Sequence, residues 1–469
     1  MTTINNIPNN PRPKLKLYTV SVIVMVLSLL SCESFIEVDM PQSELTGNAV
    51  YEDVTTANAA LADIYARMRE GGVASGTSFG GTFLMANYAD DMDFYGTNTL
   101  NEQFNKHTLL PSNANLLRLW NTTYGEIYAI NALLEGVQSS AAITGDDRNR
   151  LLGEAYFLRA FNYFYLVNLF GDIPYITTTD YELNAAIGKT SATEVWNNII
   201  QDLLLAESIL PESYPSSARV RANRATVHAM LARVHLYTQN YSQAEAYATL
   251  VIESGDYSID TDPAAAFLKD SPSIIWSFHP GIEGQNTKDA TTYNFTSGPP
   301  TKPALSVNLY DSFENGDLRK TNWIAVISNP NGTWYRPFKY KLNAPTPESQ
   351  EYTLLLRLEE QYLIRAEARA FNGNIPGAQA DIDVIRTRAG LPATSAATQE
   401  ELAAAILQER RHELFTEQCH RWFDLKRTGN AESVLSLIKP NWQMRDIWLP
   451  LPEAELSLNE NLLPQNPGY

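Results

Sequence analysis

The stretch from Leu151 to Tyr175, LLGEAYFLRAFNYFYLVNLFGDIPY, constrains this chain more than any other. Drawn as a helix as far as Phe170, it carries aromatic or aliphatic residues on every face. A surface helix has one apolar stripe, so a helix that is apolar all round must be sheathed by other helices or by lipid. Glu154, Arg159, Asn162 and Asn168 are spread along it, and each would be costly in hydrocarbon, which favours a protein sheath. Gly171 suits the left-handed residue that ends a helix, and Pro174 blocks its resumption. The expected fold class is therefore all-α, with this helix at the centre and Glu154 and Arg159 satisfied by partners inside the packing.

The N-terminus has a different logic. Arg12, Lys14 and Lys16 precede an apolar run from Leu17 to Leu30, the layout of a secretory leader and short for a spanning helix. The run ends Leu29-Leu30-Ser31-Cys32, which resembles a bacterial lipobox and marks Cys32 as the expected lipidation site. On this reading residues 1–31 are a signal peptide, 32–54 a lipidated tether with Pro41, and 55–469 one domain. Several acyl chains on one cysteine would hold it firmly, at roughly 0.8 kcal/mol per buried methylene. With Cys32 acylated, Cys419 is the remaining cysteine, so stability must come from the core rather than from a disulfide. Removing residues 1–31 takes away three basic residues and no acidic ones, deepening the net charge from −18 to −21. Such a surface repels nucleic acid as a whole.

Helical spacing starts near Thr55 or Thr56, with Leu61, Ile64, Tyr65 and Met68 on one face. Residues 71–115 are Gly-rich, include NYADDMDFYGTN, and show no sustained period. Leu116–Val137 is helical again through Trp120, Tyr124, Ile127, Ile130 and Leu134, and Ser191 with Glu194 has the spacing of a capping box that opens a helix to Leu210. Ala232, His235, Asn240, Ala244 and Ala248 then place small residues where a tetratricopeptide-like helix pair needs close approach. A shift of 134 residues gives Ala366, Arg369, Gly373-Asn374, Ala378 and Ile382 in the same phase. Copies so far apart are no tandem solenoid; helix pairs interrupted by inserted material fit better. The insert, about residues 260–351, is rich in Gly, Pro, Asn and Trp, with strand-like pieces at Ser273–Phe278 and Trp334–Tyr340. A long helix is expected from Gln399 to about Lys426, with Glu417 and Arg421 paired one turn apart.

Catalytic and metal motifs are thin. His412-Glu413 lacks the second histidine of a zinc-protease helix, because residue 416 is Thr, and His420 lies two turns away. Asp90, Asp91 and Asp93 lack the Gly and terminal Glu of an EF-hand, so a solvated loop is the default reading, with neither metal nor cofactor expected. Aromatics beside amides and charges are the better candidates: Tyr95 and Asn98 in the first irregular segment, then Tyr293, Trp323, Trp334 and Arg336 in the insert. An exposed ring stacks on the C–H face of a sugar while planar groups bond its hydroxyls. A basic patch around Arg319, Lys320, Arg336 or Lys339 could instead accept an anionic ligand. A surface glycoside hydrolase using the Asp90 cluster, and a scaffold that binds protein alone, are the competing readings.

Taken together, Cys32 with ESFIEVDMPQSELT, EAYFLRAFNYFYLVNLFGDIPY, SFENGDLRK (Ser312–Lys320), RLEEQYLIRAEARA (Arg357–Ala370), IRTRAGL (Ile385–Leu391), ILQERRHELFTEQCHRWFDLKRTG and the terminal LPLPEAELSLNENLLPQNPGY resemble, in order, the SusD/RagB family of outer-membrane nutrient-binding lipoproteins. The resemblance spans almost all of the chain after Cys32. It departs at Gln418-Cys419-His420, where many relatives carry a Gly. It implies one α-helical domain of four tetratricopeptide-like helix pairs in a superhelical array, with a loop-rich inserted half bearing the ligand surface. A SusC-type TonB-dependent outer-membrane transporter is implied as partner, with the chain lipid-anchored at the cell surface. The implied activity is non-enzymatic capture of oligosaccharide, or in some members peptide. Ligand residues vary within the family, so none is carried over.

Overall fold

The computed structural model describes residues 49–469; the leader and Cys32 lie outside them. Twelve helices of eight residues or more carry the fold: α1 Val54–Glu70, α2 Gly81–Tyr88, α3 Thr99–Lys106, α4 Ala114–Ser139, α5 Gly145–Phe170, α6 Ala192–Ile209, α7 Arg224–Tyr237, α8 Tyr241–Ile252, α9 Leu358–Phe371, α10 Ile375–Arg388, α11 Gln399–Leu414 and α12 His420–Arg427. No described helix is long and apolar enough to cross a membrane.

The sheath demanded by α5 is made of helices. From Leu151 to Phe170 only Leu152 and Tyr156 are less than buried, with α4 and α6 packed alongside. Its polar residues are tied to neighbours: Glu154 accepts from Tyr65 of α1 at 2.6 Å and from Arg221 at 2.9 Å. Arg159 donates twice to Asp202 of α6 at 2.7 Å and once to Asn131 of α4 at 3.0 Å. Phe157 and Phe161 meet the ring of Trp276 edge-on, at 5.0 and 4.9 Å. Gly171 closes the helix at φ +78°.

The two repeat copies are helix hairpins, α7–α8 and α9–α10, and they stack through α8 and α9. Ala232, Ala244 and Ala248 in one, and Ala366, Ala378 and Ile382 in the other, are fully buried. Arg233 to Glu360, at 2.6 and 2.7 Å, and Arg369 to Glu245, at 3.0 Å, bind the hairpins across the interrupting insert.

Strands come mainly from the insert: β1 Met92–Asp93, β2 Ile274–Phe278, β3 Ala304–Leu305, β4 Ile324–Asn329, β5 Gly332–Pro337 and β6 Thr353–Arg357. The antiparallel pair β2–β6 delivers the chain into α9. A four-stranded antiparallel sheet runs β1-β3-β5-β4, with Met92 opposite Leu305 and Leu305 opposite Tyr335.

Three sequence expectations change. Helix α1 begins at Val54, capped by Asp53 rather than by a threonine, because the Asp53 carboxylate accepts from the Thr55 and Thr56 amides. The Gly-rich segment holds α2, whose eight residues GTFLMANY are all buried and so show no period, and α3, capped by Asn98. The long C-terminal helix is two helices, α11 and α12, broken where Thr416, Gln418 and Cys419 adopt φ of +58°, +42° and +63°. That turn points Glu417 inward, to Arg357 at 2.9 Å and Lys339 at 2.5 Å, while Arg421 takes Asp90 instead at 2.6 Å. No Glu417–Arg421 pair forms.

Candidate functional site

The insert is anchored to the helices by buried charge. Glu413 on α11 accepts from Arg357 and Arg388 at 2.5 Å and from Arg319 at 3.2 Å. Burial would raise its carboxyl, but Arg388, Arg357 and Arg319 hold it well below the usual range. Arg319 also grips Asp317 and Glu409. The ammonium of Lys339 donates to Glu417 and to the carbonyls of Glu413 and Phe415. Arg319 and Lys339 are thus interior ties, which removes them from any anion-binding surface patch.

In front of this frame, the sheet brings two distant segments together. Pairing of β1 with β3 places the loop 94–98 against the insert, so closely that a Cβ on Gly96 would lie 3.3 Å from the Thr301 carbonyl. Tyr95 in that loop is 40% exposed. On the far side of β3, Tyr335 of β5 stacks on Tyr310 with ring centroids 3.7 Å apart and planes within 12°, and the Lys320 ammonium stands 4.0 Å above the Tyr310 ring. A groove of about 680 Å³ lies beside β1, lined among others by Asp93, Asn105, Asn308, Lys439 and Asn441. Burial and then the charge of Asp93, two residues before it, raise the Tyr95 phenol.

The sequence candidates divide accordingly. Tyr95 is open, and Asn98 is exposed with its amide oxygen committed to the Leu100 and Asn101 amides as the cap of α3. Trp334 is buried over Gly298 in a small cluster with Phe295 and Ala304. Arg336, half-buried, donates to the Phe295 carbonyl at 2.7 Å. Trp323 is 0% exposed and its indole N–H donates to the Pro263 carbonyl at 2.6 Å, so it is a core residue and presents no ring to a ligand. Tyr293 is likewise buried, tilted against Phe83 at 5.7 Å. Tyr310, Tyr335, Asn308 and Lys439 carried no sequence signal: nothing local tells a stacked surface tyrosine from a packed one, or a groove lysine from a solvated one.

The Asp90 cluster is no solvated loop. Asp90 and Asp91 are buried, and Asp90 is bound by Arg411 at 2.7 Å and Arg421 at 2.6 Å. Burial, reinforced by Asp90, pushes the Asp91 carboxyl up to about 6. His412 is held between Ser312 at 3.0 Å and Gln408 at 2.7 Å, and burial beside Arg319 and Arg411 drives it down to about 2.

Comparison with known proteins places this architecture. Residues 35–236 match a family model described as starch-binding, associating with the outer membrane, and residues 282–469 match the SusD family model. The SusD-like protein P2 of Formosa agariphila is 28% identical over 97% of this chain and 100% of its own length. Among solved structures, a SusD superfamily protein from Bacteroides vulgatus superposes with a TM-score of 0.80 at 21% identity, covering 89% of this chain and 99% of that one. A laminarin-binding SusD-like protein superposes with a TM-score of 0.73 at 25% identity, covering 88% and 99%. Two family models that between them cover residues 35–236 and 282–469 show that the chain belongs to the SusD/RagB family.

Proposed function

We propose that this protein is a non-enzymatic, lipid-anchored lipoprotein of the outer-membrane surface that captures oligosaccharide and passes it to a SusC-type TonB-dependent transporter. The observation that carries the reading is a polar groove of about 680 Å³ lined by Asp93, with the open ring of Tyr95 two residues further along the chain, in a chain whose N-terminal half matches a model described as starch-binding. Ring face plus planar polar groups is the chemistry a sugar requires. A solved relative at 25% identity is described as laminarin-binding, which points first to glucans. The non-enzymatic reading is supported by the acids a hydrolase would have used: Asp90 is locked between two arginines and Asp91 is fully buried, so Asp93, which lines the groove, has no free second carboxylate from that cluster beside it.

Support for a protein partner comes from a different surface. An apolar depression of about 530 Å³ is lined by Trp120, Tyr124, Ile176 and Leu458, and Tyr128, one turn after Tyr124 on α4, is exposed. Anchoring rests on Cys32 and the leader before it, by sequence alone. Calorimetry of residues 33–469 against neutral glucan oligosaccharides, acidic oligosaccharides and oligopeptides tests the central claim. Saturable binding of an oligosaccharide without product release supports it; binding of peptides alone, or hydrolysis, overturns it.

A further inference from the structure

The groove beside β1 is incompletely satisfied in a way that identifies the chemistry of its occupant. Lys439 is 8% exposed, yet its ammonium makes one hydrogen bond, to the Asn87 carbonyl at 3.2 Å, and no ion pair among the described residues. An ammonium has three donors to place, and leaving them without acceptors away from bulk water is costly. Desolvation accordingly draws Lys439 down to about 8, against the pull of Asp93, Asp90 and Asp91. Asp93 lines the same groove and is raised by burial, with Lys439 and the Val307 amide acting the other way. The two charges influence each other without closing to a contact. Asn308, on the same wall as Ser306, has its amide oxygen taken by Arg411 at 2.9 Å, which leaves its N–H groups for another partner.

An anionic ligand would be met by Asp93, a cationic one by Lys439, and an apolar one would leave both unpaired. Neighbouring hydroxyls on one sugar ring satisfy both, because each hydroxyl accepts and donates. We propose that this groove is a saccharide subsite in which Lys439 donates to one hydroxyl of a neutral sugar residue, Asp93 accepts from the adjacent hydroxyl, and Asn308 donates to a third oxygen. The proposal rests on the glycan-capture reading and adds the residues and the ligand class, a neutral sugar with vicinal hydroxyls.

The test is calorimetry on residues 33–469 with laminarihexaose, maltoheptaose, cellohexaose and a galacturonate hexamer, for wild type, Asp93→Asn, Lys439→Met, Asn308→Ala and Tyr95→Ala. Thermal melts identify any variant that fails to fold, and Asp93→Asn and Asn308→Ala keep the test sound if Lys439→Met does. The expected result is binding of maltoheptaose or cellohexaose, whose 1,4-linked residues keep adjacent 2- and 3-hydroxyls, with laminarihexaose bound only through its non-reducing end; that binding is weakened at least ten-fold by Asp93→Asn or Lys439→Met and a few-fold by Asn308→Ala. Should Tyr95→Ala weaken binding while Asp93→Asn and Asn308→Ala stay within two-fold of wild type, the subsite is wrong and glycan capture stands. If only the galacturonate binds, and Asp93→Asn strengthens it, the groove is an anion site and the proposal falls. Absence of binding to any of the four, with peptides bound instead, overturns both readings.

Discussion

Gln239 and Gly373 occupy the same place in two turns 134 residues apart, both left-handed, at φ of +58° and +83°. In each turn the next residue is an asparagine, at φ −87°, ψ 72° for Asn240 and φ −89°, ψ 72° for Asn374, and its amide donates at 2.8 Å to the carbonyl five residues back. The two hairpins therefore share backbone geometry as well as small-residue spacing, and one of them bears the cost of a side chain at a position that favours glycine.

That asymmetry is measurable. A Cβ on Gly373 would meet nothing within 4 Å, so Gly373→Ala tests the backbone term by itself and should destabilise by about 1 kcal/mol. Gln239→Gly should be neutral or stabilising by up to about 1 kcal/mol. Urea unfolding of both variants measures the pair.

Trp323 and Tyr95 were equal candidates by composition and are opposites in the structure. Trp323→Ala should cost about 3–5 kcal/mol of stability and leave ligand affinity of the folded fraction unchanged. Tyr95→Ala should leave the melting temperature unmoved and cost about 1 kcal/mol of binding, roughly five-fold in Kd. Parallel melts and titrations separate the two roles.

Glu126 on α4 is buried with neither carboxylate oxygen hydrogen-bonded, facing Gly72 and Asn162. Burial pushes it up to about 8, against Asn162 and Arg67, from an ordinary 4.5. Between those values the unfolded chain releases a proton that the folded chain keeps, so this residue's contribution to stability falls as pH rises through that window and levels above it. Glu126→Gln should equal wild type near pH 4 and exceed it at pH 8 by up to a few kcal/mol. Denaturant melts of both proteins across that range show the divergence.

Removing the hub of the buried ionic frame should be severe. Glu413→Gln leaves Arg357, Arg388 and Arg319 short of one negative charge in the interior and should cost about 3–5 kcal/mol. The depressed Glu413 carboxyl contributes stability above its ordinary 4.5, lost as pH falls toward its folded value, so wild type and variant should converge in acid. Acid titration followed by near-UV circular dichroism checks this.

Much of the framework was legible because burial leaves local traces. A helix greasy on all sides had to be central, and α5 is; alanines in phase at 232 and 366 had to be close helix contacts, and they are fully buried. The break between α11 and α12 was invisible, since Thr416, Gln418 and Cys419 are not turn residues by habit. Partners far along the chain hold them there, with Arg357 and Lys339 drawing Glu417 inward. Helix α2 was missed for the opposite reason, being buried throughout and so without a periodic face.

By itself, the sequence determined the all-helical class, the repeat phase and the interruption by an insert, because side-chain size and polarity encode those through local periodicity and caps. Tertiary structure alone decided which aromatics face outward and which charges remain unpaired. Trp323 and Tyr95 look alike in composition, and Lys339 and Lys439 look alike in chemistry. Only the pairing of β1 with β3, across more than two hundred residues, brings the Tyr95 loop to the insert and Asp93 to the Lys439 groove. Long-range strand pairing is set by the whole fold and leaves no local pattern to read.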